Sequence, residues 1–167
     1  MKKKRRFGLA AGIAMVLIIA AVILAGCNIQ EPTSATGVVS EVTMSKAVDS
    51  NGRPVDITNV FSEDDTGFHC SFLLSGFPVG AVLEVKWIYV GGDVSTENVT
   101  GENYVAETQT ATITKEGKGY TYTVYSSQGV PDYKWPTGEY KVVISVDGLE
   151  KATTTFRVEQ SPPGTVQ

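Results

Sequence analysis

Apolar and polar positions alternate along most of this chain, in short runs. VVSEVTMSKAV (38–48) sets Val38, Val42, Met44 and Val48 on one side of a strand. FHCSFLL (68–74) sets Phe68, Cys70, Phe72 and Leu74 against His69 and Ser71. AVLEVKWIYV (81–90) groups Leu83, Val85, Trp87 and Tyr89 against Glu84 and Lys86. AETQTATIT (106–114) and YTYTVYSS (120–127) carry the Thr and Tyr that half-buried strands favour. EYKVVISV (139–146) and ATTTFRVE (152–159) complete the series. Turn-forming clusters separate the runs: SNGRP, SGFPVG, GGD, KEGKG, VPDYKWPTG and DGLEK. Asp147-Gly148 predicts a tight hairpin between the last two strands. About seven short strands at these spacings predict an all-β fold, a single antiparallel β-sandwich over 38–160.

One stretch breaks the period of two. From Leu9 to Ala25 no side chain is charged or carries an amide. Lys2, Lys3, Lys4, Arg5 and Arg6 precede it, and small residues follow it. Charge, apolar helix and small-residue exit are the three parts of a secretory signal. The segment ends Leu24-Ala25-Gly26-Cys27, which resembles the lipobox of bacterial lipoproteins. The resemblance implies a diacylglyceryl thioether on Cys27, cleavage just before it, and residence on the extracytoplasmic face of a cell membrane. The alternative is an uncleaved transmembrane helix, since 17 residues sit at the short end of the about 17–25 a span needs. Both put the carboxy-terminal part outside the cytoplasm, because the positive charges stay inside.

This divides the chain into a signal peptide (1–26), a lipidated cysteine with a flexible tether (27–37), the sandwich (38–160) and a disordered tail (161–167). The tether NIQEPTSATG is polar and aperiodic. Ten residues of random coil would hold the domain roughly 17 Å from the anchor on average.

Removing 1–26 changes the electrostatics. Those residues hold five of the 14 basic side chains and none of the 18 acidic ones, leaving nine against 18, a formal charge of −9. Such a domain does not suit nucleic acid or an anionic bilayer surface. The remaining 140 or so residues suffice for one domain with its own core. With Cys27 lipidated, Cys70 has no partner in the chain, so no disulfide is expected. One histidine and no Cys/His cluster leave no ligand set for zinc.

Cys70, Trp87 and Gly138-Glu139-Tyr140-Lys141-Val142 follow one another in the chain. This resembles the cysteine, tryptophan and Gly-x-Tyr-x-Cys series of immunoglobulin-type domains, with Val142 in place of the second cysteine. The resemblance implies an immunoglobulin-like sandwich. Val142 would be an apolar plug between the sheets, and Tyr140 a corner tyrosine bonded back to the preceding loop.

Candidate chemistry is sparse. His69 and Cys70 are neighbours on a strand and point to opposite faces, so they do not form a nucleophile and base. Cys70 reads as a small core residue. Asp49, Asn51 and Gly52 begin like a calcium loop, but Arg53 stands where a ligand belongs and no glutamate closes it. No catalytic set, metal or cofactor is expected. Tyr133 and Trp135, on a loop bracketed by prolines, are the candidate ligand contacts. In the competing reading Trp135 closes the end of the core. The expectation is a non-enzymatic binding or structural module of the cell envelope. Its partners would be the bilayer through acylated Cys27 and an envelope protein or glycan. An enzyme accessory or inhibitor-like domain is the second class.

Overall fold

The computed structural model describes residues 36–92, 103–127, 130 and 132–162. The apolar segment, Cys27 and all but the last two residues of the tether lie outside them. The described residues form nine strands: β1 (Val38–Val48), β2 (Pro54–Ile57), β3 (Val60–Ser62), β4 (Gly67–Ser75), β5 (Val82–Gly91), β6 (Tyr104–Thr112), β7 (Lys118–Ser126), β8 (Gly138–Val146) and β9 (Leu149–Glu159). One sheet has the order β2-β1-β4-β7, the other β3-β9-β8-β5-β6. All pairings are antiparallel except β3 with β9. The seven expected strands are present. The two additional ones, β2 and β3, are four and three residues long, too short for an alternating pattern to show.

The sheets meet over an aromatic core. Phe68 of β4 stands 4.9 Å from Phe61 and from Phe156, ring centre to ring centre, which joins one sheet to the other. Tyr140 stacks on Phe156 at 5.0 Å. Trp87, Val142, Ile144 and Val146 are fully buried. Aromatic pairs of this kind contribute about 0.5–1.5 kcal/mol each beyond the area they bury. Trp87 and Val142 are register partners on β5 and β8, so the valine lies in the centre of its sheet. The Tyr140 hydroxyl donates to the Pro136 carbonyl at 2.7 Å, back into the preceding loop.

The face expected for β1 is observed only beyond Glu41, where Met44 is buried and Val42 packs against the core. Val38 is exposed, while Val39 and Met44 are buried. The register with β4 shifts between Ser40 and Thr43, and Glu41 has φ of 53°. A bulge there inserts residues between two inward positions and breaks the period of two. The β8–β9 turn follows expectation. Asp147 and Gly148 both have positive φ, 51° and 77°, as a two-residue hairpin with right-handed twist requires.

The outer side of β4 is covered as well. Ser45, Ser71 and Leu73 point away from the core and are buried. The turn between β1 and β2 folds back over this side. A Cβ on Gly52 would lie 3.3 Å from the Tyr122 ring, and the Arg53 guanidinium lies over the Tyr120 ring at 5.4 Å. Asp49 Oδ1 holds the turn by accepting from the backbone N–H groups of Asn51 and Arg53 at 2.8 and 2.9 Å. The carboxylate that opens this calcium-like stretch is committed to the turn, and hydrogen bonding from the Arg53 backbone keeps it below the usual carboxylate range.

Candidate functional site

β7 and β8 lie in different sheets, and Trp135 stands in the connection between them. This residue is 3% exposed. Its ring lies 4.6 Å from Phe68 and 4.7 Å from Tyr125. The indole N–H donates to the Asp65 carbonyl at 2.6 Å, and the backbone N–H donates to the Glu63 carbonyl at 3.0 Å. Both polar groups and the ring faces are thus occupied within the fold. Tyr133 packs edge-on against Trp135 at 4.9 Å and stays 39% exposed. Of the two aromatic candidates, Tyr133 alone presents surface to a ligand. Lys134 between them bridges Glu63 and Asp64 at 2.7 and 3.3 Å. Those hydrogen bonds raise the Lys134 pKa.

Cys70 is fully buried, and burial pushes its thiol up to about 12. His69 points to the opposite side of β4. Burial there lowers its pKa, against a raising hydrogen bond to the Lys46 backbone. His69 Nδ1 and Ser71 Oγ are buried with no hydrogen-bond partner among the described residues. Adjacent in sequence, the thiol and the imidazole face away from each other. No group of three or more His, Cys, Asp or Glu side chains among the described residues is arranged to hold a metal ion.

A polar chain unforeseen from sequence closes the open side of the sandwich, where β6 and β7 are the edges. The Trp87 indole N–H donates to Thr123 Oγ1 at 3.3 Å. The Thr123 hydroxyl in turn donates to Gln109 Oε1. The Gln109 amide donates to the Val124 carbonyl at 2.8 Å and to Glu107 Oε1 at 2.5 Å. In the sequence these residues look like the wet side of edge strands. In the structure they join the two sheets.

At the other end of the same open side lies a cleft of about 400 Å³. It is open and more polar than apolar, lined by Leu74, Phe77, Leu83 and Ile113 together with Thr112, Thr121, Lys115, Glu116 and Lys118. Two loops frame it. Gly76 N–H donates to the Gly117 carbonyl at 3.2 Å and Gly80 N–H to the Ile113 carbonyl at 2.9 Å, tying the β4–β5 loop to the β6–β7 loop.

No family model matches the chain, and no curated protein sequence does either. Among solved structures, an immunoglobulin-like protein from Pseudomonas aeruginosa superposes with a TM-score of 0.51 at 14% identity, over 75% of this chain and 98% of that one. The fold is an immunoglobulin-like sandwich. A DNA-bound alkylpurine DNA glycosylase from Pseudomonas fluorescens aligns with a TM-score of 0.45 at 13% identity, over 74% of this chain. A β-glucosidase from Bifidobacterium adolescentis gives 0.42 at 11% identity, over 80%. The chain spans less than a third of either of those proteins, 30% and 19%. In the immunoglobulin-like arrangement Cys70 and Val142 are both core residues, and Tyr140 holds the corner.

Proposed function

We propose that the protein is a lipoprotein held by an acylated Cys27 on the extracytoplasmic face of a cell membrane, where the immunoglobulin-like sandwich serves as a non-catalytic binding or structural module. The observation that carries this is the burial of Cys70. The chain has two cysteines, and the one at 70 is sealed in the core with its thiol raised to about 12. A thiol so buried is a poor acceptor for an acyl group, which leaves Cys27, at the end of the apolar segment, as the candidate. The acidic mature chain agrees with a domain that stands off an anionic bilayer on its tether rather than lying on it.

Intact-mass measurement on the membrane fraction tests the reading. The expected result is a chain beginning at Cys27 with the mass of a diacylglyceryl group and any further acyl chain. Cys27→Ala should leave a full-length, lipid-free precursor. Recovery of the wild-type chain uncleaved from Met1 would replace the lipid by a transmembrane helix.

A further inference from the structure

We propose that the free edge of β6 takes up an extended segment of a partner polypeptide as an added strand, with a side chain of that segment seated in the cleft between β6 and β7 and a carboxylate of it held by Lys115 and Lys118. The inference goes beyond the function proposed above and draws nothing from the anchor at Cys27.

The first observation is which backbone groups this edge leaves unused. The Ile113 N–H donates to the Ala81 carbonyl at 2.9 Å, and the Ile113 carbonyl accepts from the Gly80 N–H at 2.9 Å, so both groups turn toward the start of β5. Along an antiparallel strand the backbone groups of successive residues point to alternate sides. Ala111, Gln109 and Glu107 therefore spend theirs on β5, in a register that runs unbroken from Thr112 to Glu107. The N–H and C=O groups of Thr108, Thr110 and Thr112 point out of the sheet, and these three residues are exposed. Such a row is a template for another strand.

The other edges are blunted. β2 has four residues, begins at Pro54 and holds Asp56 at φ of 55°. β3 has three residues. On β7 the Val124 carbonyl is already taken by the Gln109 amide. Short edges, proline and side chains laid over the backbone are the devices that keep foreign strands away. From Thr108 to Thr112, β6 carries none of them.

The third observation is room for a visiting side chain. Ala111 is the register partner of Leu83, and Gly119 that of Leu74, so both stand on the core side of their strands. Leu83 is buried and Leu74 packs against the core, yet Ala111 and Gly119 are exposed. A Cβ on Gly119 would meet nothing within 4 Å. The cleft lies between these two small residues. An added strand turns every second side chain to this side, and the one beside Ala111 enters the cleft. In this mode main-chain bonds give affinity and the pocket gives specificity. An open cleft with mainly polar walls suits one side chain of a passing peptide. Charge narrows the partner further. Lys115 and Lys118 stand by the cleft with a single carboxylate, Glu116, and neither lysine has an ion pair among the described residues. An acidic residue in the added segment complements this local excess.

The test pans a phage-displayed library of random heptapeptides against the full chain in detergent micelles. Enriched peptides, resynthesised, should be rich in β-branched residues and carry Asp or Glu toward one end. On binding, amide hydrogen exchange should slow at Thr108, Thr110 and Thr112 and stay unchanged in β2 and β3. Methylating alternate peptide amides should abolish binding in one phase and spare it in the other. Thr110→Pro removes an outward N–H where an edge strand tolerates proline, and should weaken binding about tenfold or more. Should that variant misfold, Gly119→Leu fills the cleft from an open position and should weaken binding without lowering the unfolding midpoint. Lys115→Glu with Lys118→Glu should turn the preference from acidic to basic peptides. No enriched peptide, protection elsewhere in the chain, or binding unchanged in these variants would overturn the proposal. Selection indifferent to peptide charge would overturn the part given to the lysines. A concentration-dependent dimer that Thr110→Pro dissolves would give the edge to a second copy and overturn a foreign segment. Failure of lipidation at Cys27 would appear in the intact mass alone and leave peptide binding untouched.

Discussion

Trp87 and Thr123 face each other across the sandwich, indole N–H to hydroxyl oxygen at 3.3 Å. One residue lies on a central strand of the larger sheet, the other on an edge strand of the smaller one. Thr123 also donates onward to Gln109, so its hydroxyl serves the buried indole and a half-buried amide. Thr123→Val keeps the shape and removes both bonds. It should cost about 1–3 kcal/mol in urea unfolding, because a donor and an acceptor are left unpaired. Thr123→Ser should restore most of the loss. A Val variant as stable as the parent would mean that water replaces the chain.

Trp135 and Tyr133 are neighbours with opposite roles. Trp135→Ala removes a buried ring that touches Phe68 and Tyr125 and should cost about 3–5 kcal/mol. Tyr133→Ala removes a partly exposed ring and should cost about 1 kcal/mol or less. Thermal unfolding of the two variants side by side checks this. Equal losses would show that the loop depends on both rings for its placement.

Cys70 should be inert while the protein is folded. Its raised pKa and burial keep the thiolate population negligible at pH 8. A thiol-reactive dye should label it only after denaturant is added. Cys70→Ala should cost about 1–2 kcal/mol through a small cavity and leave the fold in place. A reductant-dependent unfolding midpoint would contradict this, since it would reveal a disulfide.

Stability should fall at both ends of the pH scale. Burial holds the Cys70 thiol and the Tyr125 phenol at about 12, whereas the unfolded chain titrates them near 8.5 and 10. Above about pH 8.5 the unfolded state releases protons that the fold retains, so stability declines steadily toward pH 12. His69 has the opposite sign. Its folded pKa is lowered, so below about 6.5 the unfolded chain takes up a proton that the fold resists. That contribution is present above pH 6.5 and lost as pH falls. Denaturation curves between pH 5 and 11 should show both slopes, and His69→Gln should flatten the acid one.

The strands were legible wherever one side of a strand is core. Phe68, Cys70 and Phe72 alternate with His69 and Ser71 as they do in the structure, and Trp87 and Val142 occupy the core that their surroundings imply. Legibility failed where the period of two is interrupted. At Glu41 a bulge exchanges the inner and outer positions of β1, and nothing in VVSEV marks it beforehand. A second register shift faces Trp87 and Ile88 on β6. The polar chain was hidden for another reason. Glu107, Gln109 and Thr123 have the composition of a solvated side, and only the closing of two sheets turns that side inward. The cleft likewise exists only through two loops some 35 residues apart in sequence, tied from Gly80 to Ile113.

The direction of β1 has a mechanical consequence. The strand begins at Val38, where the proposed tether would join, and it runs antiparallel to β4 with register pairs from Val38–Ser75 to Ser45–His69. A pull through residue 37 along the strand axis slides β1 past β4 and strains these backbone bonds together, in shear, instead of peeling them apart one by one. The bulge at Glu41 divides that load into two clamps, one on either side of it. If the proposed tether holds, drag on the far end of the domain loads the β1–β4 bonds in parallel, whereas a force that lifts β1 sideways from the sheet breaks them in turn.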